Sequence, residues 1–338
     1  MPRLSFGLPA LAVAGNKIVN AQTGQAVLLR GVNRSGFEYS SPEGVGALTK
    51  TGINEAEILQ IVDVWGANII RLPFNQDWAL ERLGYDPAPY RADLEAVIAM
   101  AARRGAYTLL DLQWLDSVTP RGTTGGKPNF VAPLPNPDSI RLWQQLAAAW
   151  RDEPAVLYDI FNEPHDALPD DTMPLMGIAD DGSTFPLPTG TVTMTEWQPW
   201  ARQLIGAIRS ENPNAVVFVP GTNWAFDLTG HPIPGVSGAV YSTHVYVPKG
   251  SDWARAFGDL ASAVPVFAGE WGGGDDDTQW GLELAAYFDQ RGLGWTAWSW
   301  ADWPWLVDHP PTPPYNPTRF GSVVRNALGA SADSLRVG

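Results

Sequence analysis

Two glutamates stand where an apolar run of the chain gives out. Glu163 follows Val156–Phe161 and Glu270 follows Val266–Gly269. An unpaired carboxylate at the end of a buried strand is costly, so each needs a partner or a function to compensate. A buried ion pair would serve for either one. Together they suit the cleavage of a glycosidic bond, which takes one carboxyl group protonated near neutral pH and a second that is ionised as nucleophile or base. The other polar or aromatic residues at the ends of apolar runs are Asn33, Arg71, Gln113, Asn162, His244 with Tyr246, and Trp298. With no cysteine and only four histidines, thiol nucleophiles, zinc–thiolate sites and iron–sulfur clusters fall away, leaving carboxylates and hydroxyls. The acidic run Asp275–Asp277 lacks the alternating oxygen ligands of a calcium loop and reads as a solvated helix start, so no metal and no cofactor are expected.

These residues lie far apart in sequence, and the elements between them must bring them together. Short β-branched runs alternate with amphipathic helices, the pattern of parallel strands joined by helical crossovers. The strand candidates are Val27–Val32, Asn68–Leu72, Tyr107–Leu112, Ala155–Phe161, Ala215–Pro220, Val240–His244, Pro265–Gly269 and Gly294–Ser299. Asn54 reads as an N-cap with Glu57 three residues on, followed by apolar Ile58, Ile61, Val62 and Trp65 and the stop Gly66. Leu94, Val97, Ile98 and Ala101 mark the next helix, closed by Gly105. Further helices are expected at Ser139–Arg151, Glu196–Glu211, Asp252–Ala263, Gln279–Arg291 and Arg319–Leu328. Eight strand–helix units close an α/β fold, the (β/α)8 TIM barrel, in which the strand C-termini face the pocket. Leu11–Gln25, with Gly15-Asn16 as its turn, reads as a short N-terminal β-hairpin covering the barrel bottom. One catalytic domain over residues 1–338 is expected, with the hairpin at about 11–25 and the barrel at about 26–329. The long loops, Leu115–Pro137, His165–Thr195, Trp224–Gly238 and Asp302–Thr318, all follow strands, where barrel enzymes build their sites.

The 36 acidic residues against 22 basic ones leave a formal net charge of −14, which repels phosphate backbones and anionic membranes, so no nucleic acid is expected as a partner. No apolar stretch reaches the length of a membrane span. The unusual count is 16 tryptophans. Trp65, Trp143 and Trp197 fall on helical faces as core, whereas others crowd strand ends, where a flat ring can stack on a sugar. Phe37, Tyr39, Trp114, Trp224, Trp271, Trp300, Trp303 and Trp305 are candidates for such flanking contacts.

The segment Val156-Leu-Tyr-Asp-Ile-Phe-Asn162-Glu163-Pro164-His165 resembles the signature of glycoside hydrolase family five, the cellulase family. LRGVNRSG (Leu29–Gly36), NIIRLPF (Asn68–Phe74), LLDLQW (Leu109–Trp114), STHVYVP (Ser242–Pro248), FAGEWGG (Phe267–Gly273) and AWSWADW (Ala297–Trp303) follow in the family's order. The resemblance implies an enzyme of the retaining β-glycosidase class on a TIM barrel, with Glu163 as acid/base and Glu270 as nucleophile. It further implies that Asn162 bonds the sugar 2-hydroxyl, that Arg71 pairs with the nucleophile, that His244 and Tyr246 flank the glutamates, and that Trp298 stacks beneath the sugar. One position departs from the pattern. The family's third strand usually ends Asp-Leu-His, whereas this chain has Asp111-Leu112-Gln113 ahead of Trp114. Glutamine can bond a hydroxyl but cannot titrate, so the change bears on which sugar is held rather than on the reaction.

The substrate implied is a β-linked polysaccharide or oligosaccharide, first of all β-1,4-glucan cut internally, with β-mannan, xyloglucan or exo action on a short glucoside as alternatives. A silent carbohydrate-binding barrel would be expected to have lost at least one of the site residues, and an enolising barrel would need a metal or a lysine at a strand end. A secreted monomer is expected because polymeric glucans lie outside cells, although Met1-Pro2-Arg3 begins no secretory signal.

Overall fold

A computed structural model describes residues 6–81, 84, 86–115, 123–124, 127–128, 132–167, 176–178, 184–186 and 190–335. Eight parallel strands close into a barrel: β1 (Arg30–Asn33), β2 (Ile69–Asn75), β3 (Tyr107–Trp114), β4 (Val156–Asp159), β5 (Val217–Pro220), β6 (Ala239–Tyr246), β7 (Val266–Gly272) and β8 (Gly294–Ala297). Each pairs with the next in sequence, and β8 returns to β1. Side chains alternate across each strand. Ile70 and Leu72 therefore meet the helical shell, while Ile69 and Arg71 face the barrel interior. Leu29, Ile69, Leu109, Leu157, Phe218, Val240 and Phe267 fill the lower interior, and Leu11 and Ile18 of the hairpin pack into the same cluster from below. The hairpin is shorter than expected, pairing Leu11–Ala14 with Lys17–Asn20. It ends there because the Asn20 side chain accepts from the backbone of Gln22 and Thr23 and turns the chain away.

The helices start where the sequence places caps. The Asn54 side chain accepts from the N–H groups of Ala56 and Glu57, and Thr193 and Glu196 cap Met194–Glu211, where the Thr193 N–H donates to the Glu196 carboxylate over 2.8 Å. Glu57 is no capping-box partner, because it is buried and paired with Arg34 instead. Trp143 and Trp197 tie the shell to the strand ends, donating their indole N–H groups to the carbonyls of Ile160 and Pro220, each over 2.9 Å. Two crossovers lack the helix that eight strand–helix units require. Between β5 and β6 the chain runs through turns and isolated bridges, in a stretch broken by Gly230, Pro232, Pro234, Gly235 and Gly238. Between β6 and β7, a π turn (Ala254–Gly258) and a 3-10 turn (Leu260–Ser262) replace the expected continuous helix over Asp252–Ala263. The loops at Leu115–Pro137 and His165–Thr195 lie largely outside the described residues.

Two irregularities in strand pairing bear on the site. Thr243 pairs with Ala268 but His244 pairs with Glu270, so Gly269 is an extra residue in β7. Phe74 pairs with Leu112 but Asn75 pairs with Trp114, so Gln113 is extra in β3. A bulge of this kind re-aims the side chains that follow it. Strict alternation from inward Phe267 would point Glu270 outward; the extra residue turns it in. Only glycine fits at that position, since a Cβ on Gly269 would lie 2.4 Å from Ser242 Oγ and 2.9 Å from His244 Nε2.

Candidate active site

Arg71, fully buried on β2, is the hub of the upper barrel. Its Nε donates to Asp159 Oδ2 over 2.9 Å, its Nη1 to Asn33 Oδ1 over 3.0 Å and to Glu270 Oε1 over 2.8 Å, and its Nη2 to Asn162 Oδ1 over 3.0 Å. The same Nη2 lies 3.0 Å from Asp111 Oδ1. One cation thus faces three carboxyl groups in a buried interior. Burial works against the guanidinium's charge, but Asp111, Asp159 and Glu270 outweigh it and keep Arg71 protonated. Burial raises Asp159 to about 6 and lifts Asp111 well above the carboxylate range, in both cases against the pull of Arg71. Apart from the ion pair of Asp111 Oδ1 with Arg71, both Asp111 oxygens and Asp159 Oδ1 lack a hydrogen-bond partner among the described residues.

Glu270 receives two donors, Arg71 at Oε1 and the Tyr246 hydroxyl at Oε2 over 2.6 Å. Its strand is fixed from behind, where Asn33 Nδ2 donates to the Gly269 carbonyl over 3.0 Å and Thr296 adds a second donor. Glu163 lies on the segment beyond β4, which is held to β3 by the Asn162 N–H on the Leu112 carbonyl over 3.0 Å. Its side chain retains 13 % exposure, and its Oε1 lies 2.8 Å from His244 Nδ1. Burial raises the Glu163 carboxyl above its ordinary range, opposed by His165, Arg71 and Lys249 in that order. His244 is also buried, and burial lowers it to about 3, so the ring is neutral over the working range of most enzymes. Its Nδ1 is 3.6 Å from Glu270 Oε2, and one oxygen of Glu163, His244 Nδ1 and one oxygen of Glu270 all lie within 4.8 Å of one another.

The structure brings Glu163, Glu270, Arg71, Asn162, His244 and Tyr246 into one connected network. Gln113 and Trp114 stand half-buried at the end of β3; Gln113 Oε1 has no partner among the described residues, and the Trp114 ring lies 6.0 Å from that of Tyr39. Trp298 follows β8, is 9 % exposed, and donates its indole N–H to the Trp303 carbonyl over 3.0 Å. Three of the aromatic candidates for flanking contacts are core instead. Phe37, Trp271 and Trp300 are wholly buried, with Trp271 among Phe288, Trp295 and Phe320, and Trp300 against Trp65. Tyr39, Trp303 and Trp305 are exposed, and Trp224 stacks on His165 with ring centres 4.1 Å apart. Sequence reasoning passed over Asp111 and Asp159. The available signal was phase: each is a charged residue at an inward position of an otherwise apolar strand, two residues from inward Leu109 and Leu157.

A family model described as Cellulase (glycosyl hydrolase family 5) matches residues 21–303. An endoglucanase of Microbulbifer sp. (strain ALW1), MaCel5A, is 27 % identical over 316 residues, which cover 86 % of this chain and 51 % of that protein. An endoglucanase of Paenibacillus polymyxa is 25 % identical over 338 residues, covering 84 % of this chain and 78 % of that one. The chain spans about half the length of several of its curated relatives. Among solved structures, the native β-glucanase SdGluc5_26A of Saccharophagus degradans superposes with a TM-score of 0.73 at 20 % identity, over 96 % of this chain and 94 % of that one. The catalytic domain of the Thermobifida fusca endoglucanase Cel5A does so with a TM-score of 0.71 at 20 % identity, over 97 % and 99 %. Such likeness at low identity speaks for the barrel alone; the family model, spanning the strand that bears Glu163 and the one that bears Glu270, establishes that this chain belongs to the cellulase family, glycosyl hydrolase family 5.

Proposed function

We propose that this chain is one catalytic domain of a retaining β-glycoside hydrolase that cuts β-1,4-glucan internally, with Glu163 as acid/base and Glu270 as nucleophile. The observation that carries the reading is the approach of the two glutamates, whose nearest oxygens lie within 4.8 Å. Retaining enzymes hold their carboxyl groups about 5–5.5 Å apart, whereas inverting ones leave about 6.5–9.5 Å for a water molecule. The two environments also differ in the required sense. Burial favours the protonated form of Glu163, while both oxygens of Glu270 accept hydrogen bonds.

In the first step Glu270 attacks the anomeric carbon as Glu163 passes its proton to the departing glycosidic oxygen. In the second, Glu163 takes a proton from water, which displaces Glu270 and restores the starting configuration. Neutral His244 holds the Glu163 carboxyl in place without adding charge. Asn162 spends its carbonyl on Arg71, which leaves its amide N–H groups to bond the sugar 2-hydroxyl; Trp298 and Gln113 contact the same ring, and Trp114 the one beyond it.

The substrate assignment rests on the relatives named as endoglucanases and on the solved complexes of SdGluc5_26A and of the Thermobifida fusca enzyme with cellotetraose. No helix among the described residues is long and apolar enough to cross a membrane; a secreted monomer is the reading that suits a polymeric substrate, which lies outside the cell. A 2-fluoro cellobioside with a good leaving group tests the chemistry: it should label Glu270, and Glu163→Ala should be rescued by azide to a β-glycosyl azide. Label on another residue, or a first product of inverted configuration, overturns the assignment. Product sizing on soluble β-1,4-glucan, β-mannan and xyloglucan tests the substrate.

A further inference from the structure

Beyond β5 the backbone enters a conformation that L-residues avoid. Asn223, Trp224 and Ala225 have φ values of 55°, 59° and 57°, a turn of left-handed helix built without glycine. Each such residue costs about 1–2 kcal/mol, and three in succession persist only where the surroundings dictate them. The surroundings are visible. Thr222 and Asp227 exchange backbone hydrogen bonds of 3.0 Å across the neck of the turn. A Cβ on Gly221 would lie 2.5 Å from the Asp227 carbonyl oxygen, so the neck closes only on glycine. The Trp224 N–H donates to the Pro164 carbonyl over 3.0 Å. At the tip, Lys249 Nζ donates to both the carbonyl and the side-chain oxygen of Asn223, over 2.9 and 3.0 Å.

What the turn holds is the segment that bears Glu163. Trp224 stacks on His165, and His165 Nδ1 lies 2.7 Å from the carbonyl oxygen of Glu163. Lys249 stands in the 3-10 turn Val247–Lys249, directly after β6, the strand of His244 and Tyr246. One ammonium group therefore fastens the loop after β6 to the loop after β5, and through Trp224 to the loop after β4.

The geometry points to Lys249 as a positioning residue for Glu163: by pinning the left-handed turn it fixes the Asn162–His165 segment and with it the place of the Glu163 carboxyl beside the departing oxygen. This rests on the reading of Glu163 as acid/base. The groups facing Glu163 are His165 on its own segment, Arg71 on β2, Asp159 on β4, His244 and Tyr246 on β6, Glu270 on β7, and Lys249. Arg71 is committed to three carboxyl groups, and His244 is uncharged. Against the burial that raises the Glu163 carboxyl, His165, Arg71 and Lys249 each pull it toward the charged form, and of these Lys249 is the one that also holds the left-handed turn.

The test compares the wild type with Lys249→Met, Lys249→Gln and Lys249→Arg, each checked for folding by circular dichroism. Two aryl β-cellobiosides are used, one with a leaving group that needs no proton and one that needs it. Lys249→Met should lower kcat/KM for the demanding substrate about tenfold, equivalent to 1.4 kcal/mol, and leave the undemanding one nearly unchanged. Loss of the cation raises the Glu163 carboxyl, so the alkaline limb of the kcat/KM profile should move to higher pH. Lys249→Arg should restore both readouts. Lys249→Gln, which keeps a donor for Asn223 without the charge, should shift the limb with a smaller loss of rate, and it decides the matter if the methionine variant does not fold. An unmoved alkaline limb, or equal losses on the two substrates, would make Lys249 a surface anchor only. If Glu163→Ala shows no greater loss on the demanding substrate, the acid/base reading itself fails, a separate outcome.

Discussion

Replacing Arg71 by lysine keeps the positive charge and removes the fork. The guanidinium makes five contacts, to Asp159, Asn33, Glu270, Asn162 and Asp111, whereas an ammonium has three donors. At least two contacts must go, each worth about 1.5–3 kcal/mol for bonds to charged groups, for a loss of about 3–6 kcal/mol. Unfolding entropy of roughly 2.1 cal/mol/K per residue makes 1 kcal/mol worth about 1.5 °C in a chain of this length, so Tm should fall by roughly 5–9 °C. On the proposed reading of Glu270 as nucleophile, a side chain left loose by about 1 Å should cost on the order of 100-fold in rate. Arg71→Met carries the argument further, because it strands three carboxyl groups with no cation. Asp111 and Asp159, already raised by burial against the pull of Arg71, then rise further above their unfolded values, so the variant's stability is fully present below the ordinary carboxylate range and is lost as pH climbs through the raised values. Asp159 reaches about 6 even with Arg71 in place. Calorimetric melts from pH 4.5 to 7.5 should therefore show Arg71→Met losing Tm with rising pH much more steeply than the wild type. A Tm for Arg71→Lys within about 2 °C of wild type, or parallel pH curves for Arg71→Met and wild type, would refute the network as described.

Trp298→Ala should cost about 1–3 kcal/mol of transition-state stabilisation, by analogy with stacking of a planar ligand on an aromatic face; unchanged kcat/KM in a folded variant removes it from the site. Gln113→His should alter affinity or sugar preference more than the acid limb of the pH profile, measured across glucan, mannan and xyloglucan oligosaccharides, and collapse of the fold would instead mark Gln113 as packed. Gly269→Ala drives a methyl into Ser242 and His244, so it should destabilise by about 1–3 kcal/mol and reduce activity more than stability, since Glu270 follows directly; a variant with native melting and native rate would mean that the bulge does not aim Glu270.

The barrel was legible because its signals are periodic. Each strand candidate overlaps an observed strand, and the cap at Asn54 marks its helix; the Thr193 cap, which starts its helix at Met194 ahead of the expected Glu196, is seen only in the structure. What failed was local. The expected helix over Asp252–Ala263 has the composition for one, but Gly258 presses against Tyr287, where a Cβ would fall 1.8 Å from the hydroxyl oxygen, and the backbone breaks into tighter and looser turns. Motif and strand-end position located both glutamates and Arg71, yet alternation by itself would have turned Glu270 outward. A bulge leaves no mark in sequence beyond a glycine. Phe37, Trp271 and Trp300 show the converse limit, since a ring near a strand end can face the shell as readily as the pocket, and for Trp271 it is phase shifted by the bulge that decides. Lys249 was invisible because its partner is a conformation, the left-handed turn at Asn223, and none of the residues in that turn is glycine.

The crowding of three carboxyl groups around Arg71 also says something about inheritance. Burial already holds Asp111 well above the carboxylate range, so an amide there would change the charge of the network little, and such a neighbour lies one substitution away in sequence. A barrel that keeps Glu270, Asp111 and Asp159 as carboxyl groups rather than amides crowds all three on one shared cation, against the burial that opposes the charge of Asp111 and Asp159, a burden that the fold alone would not select.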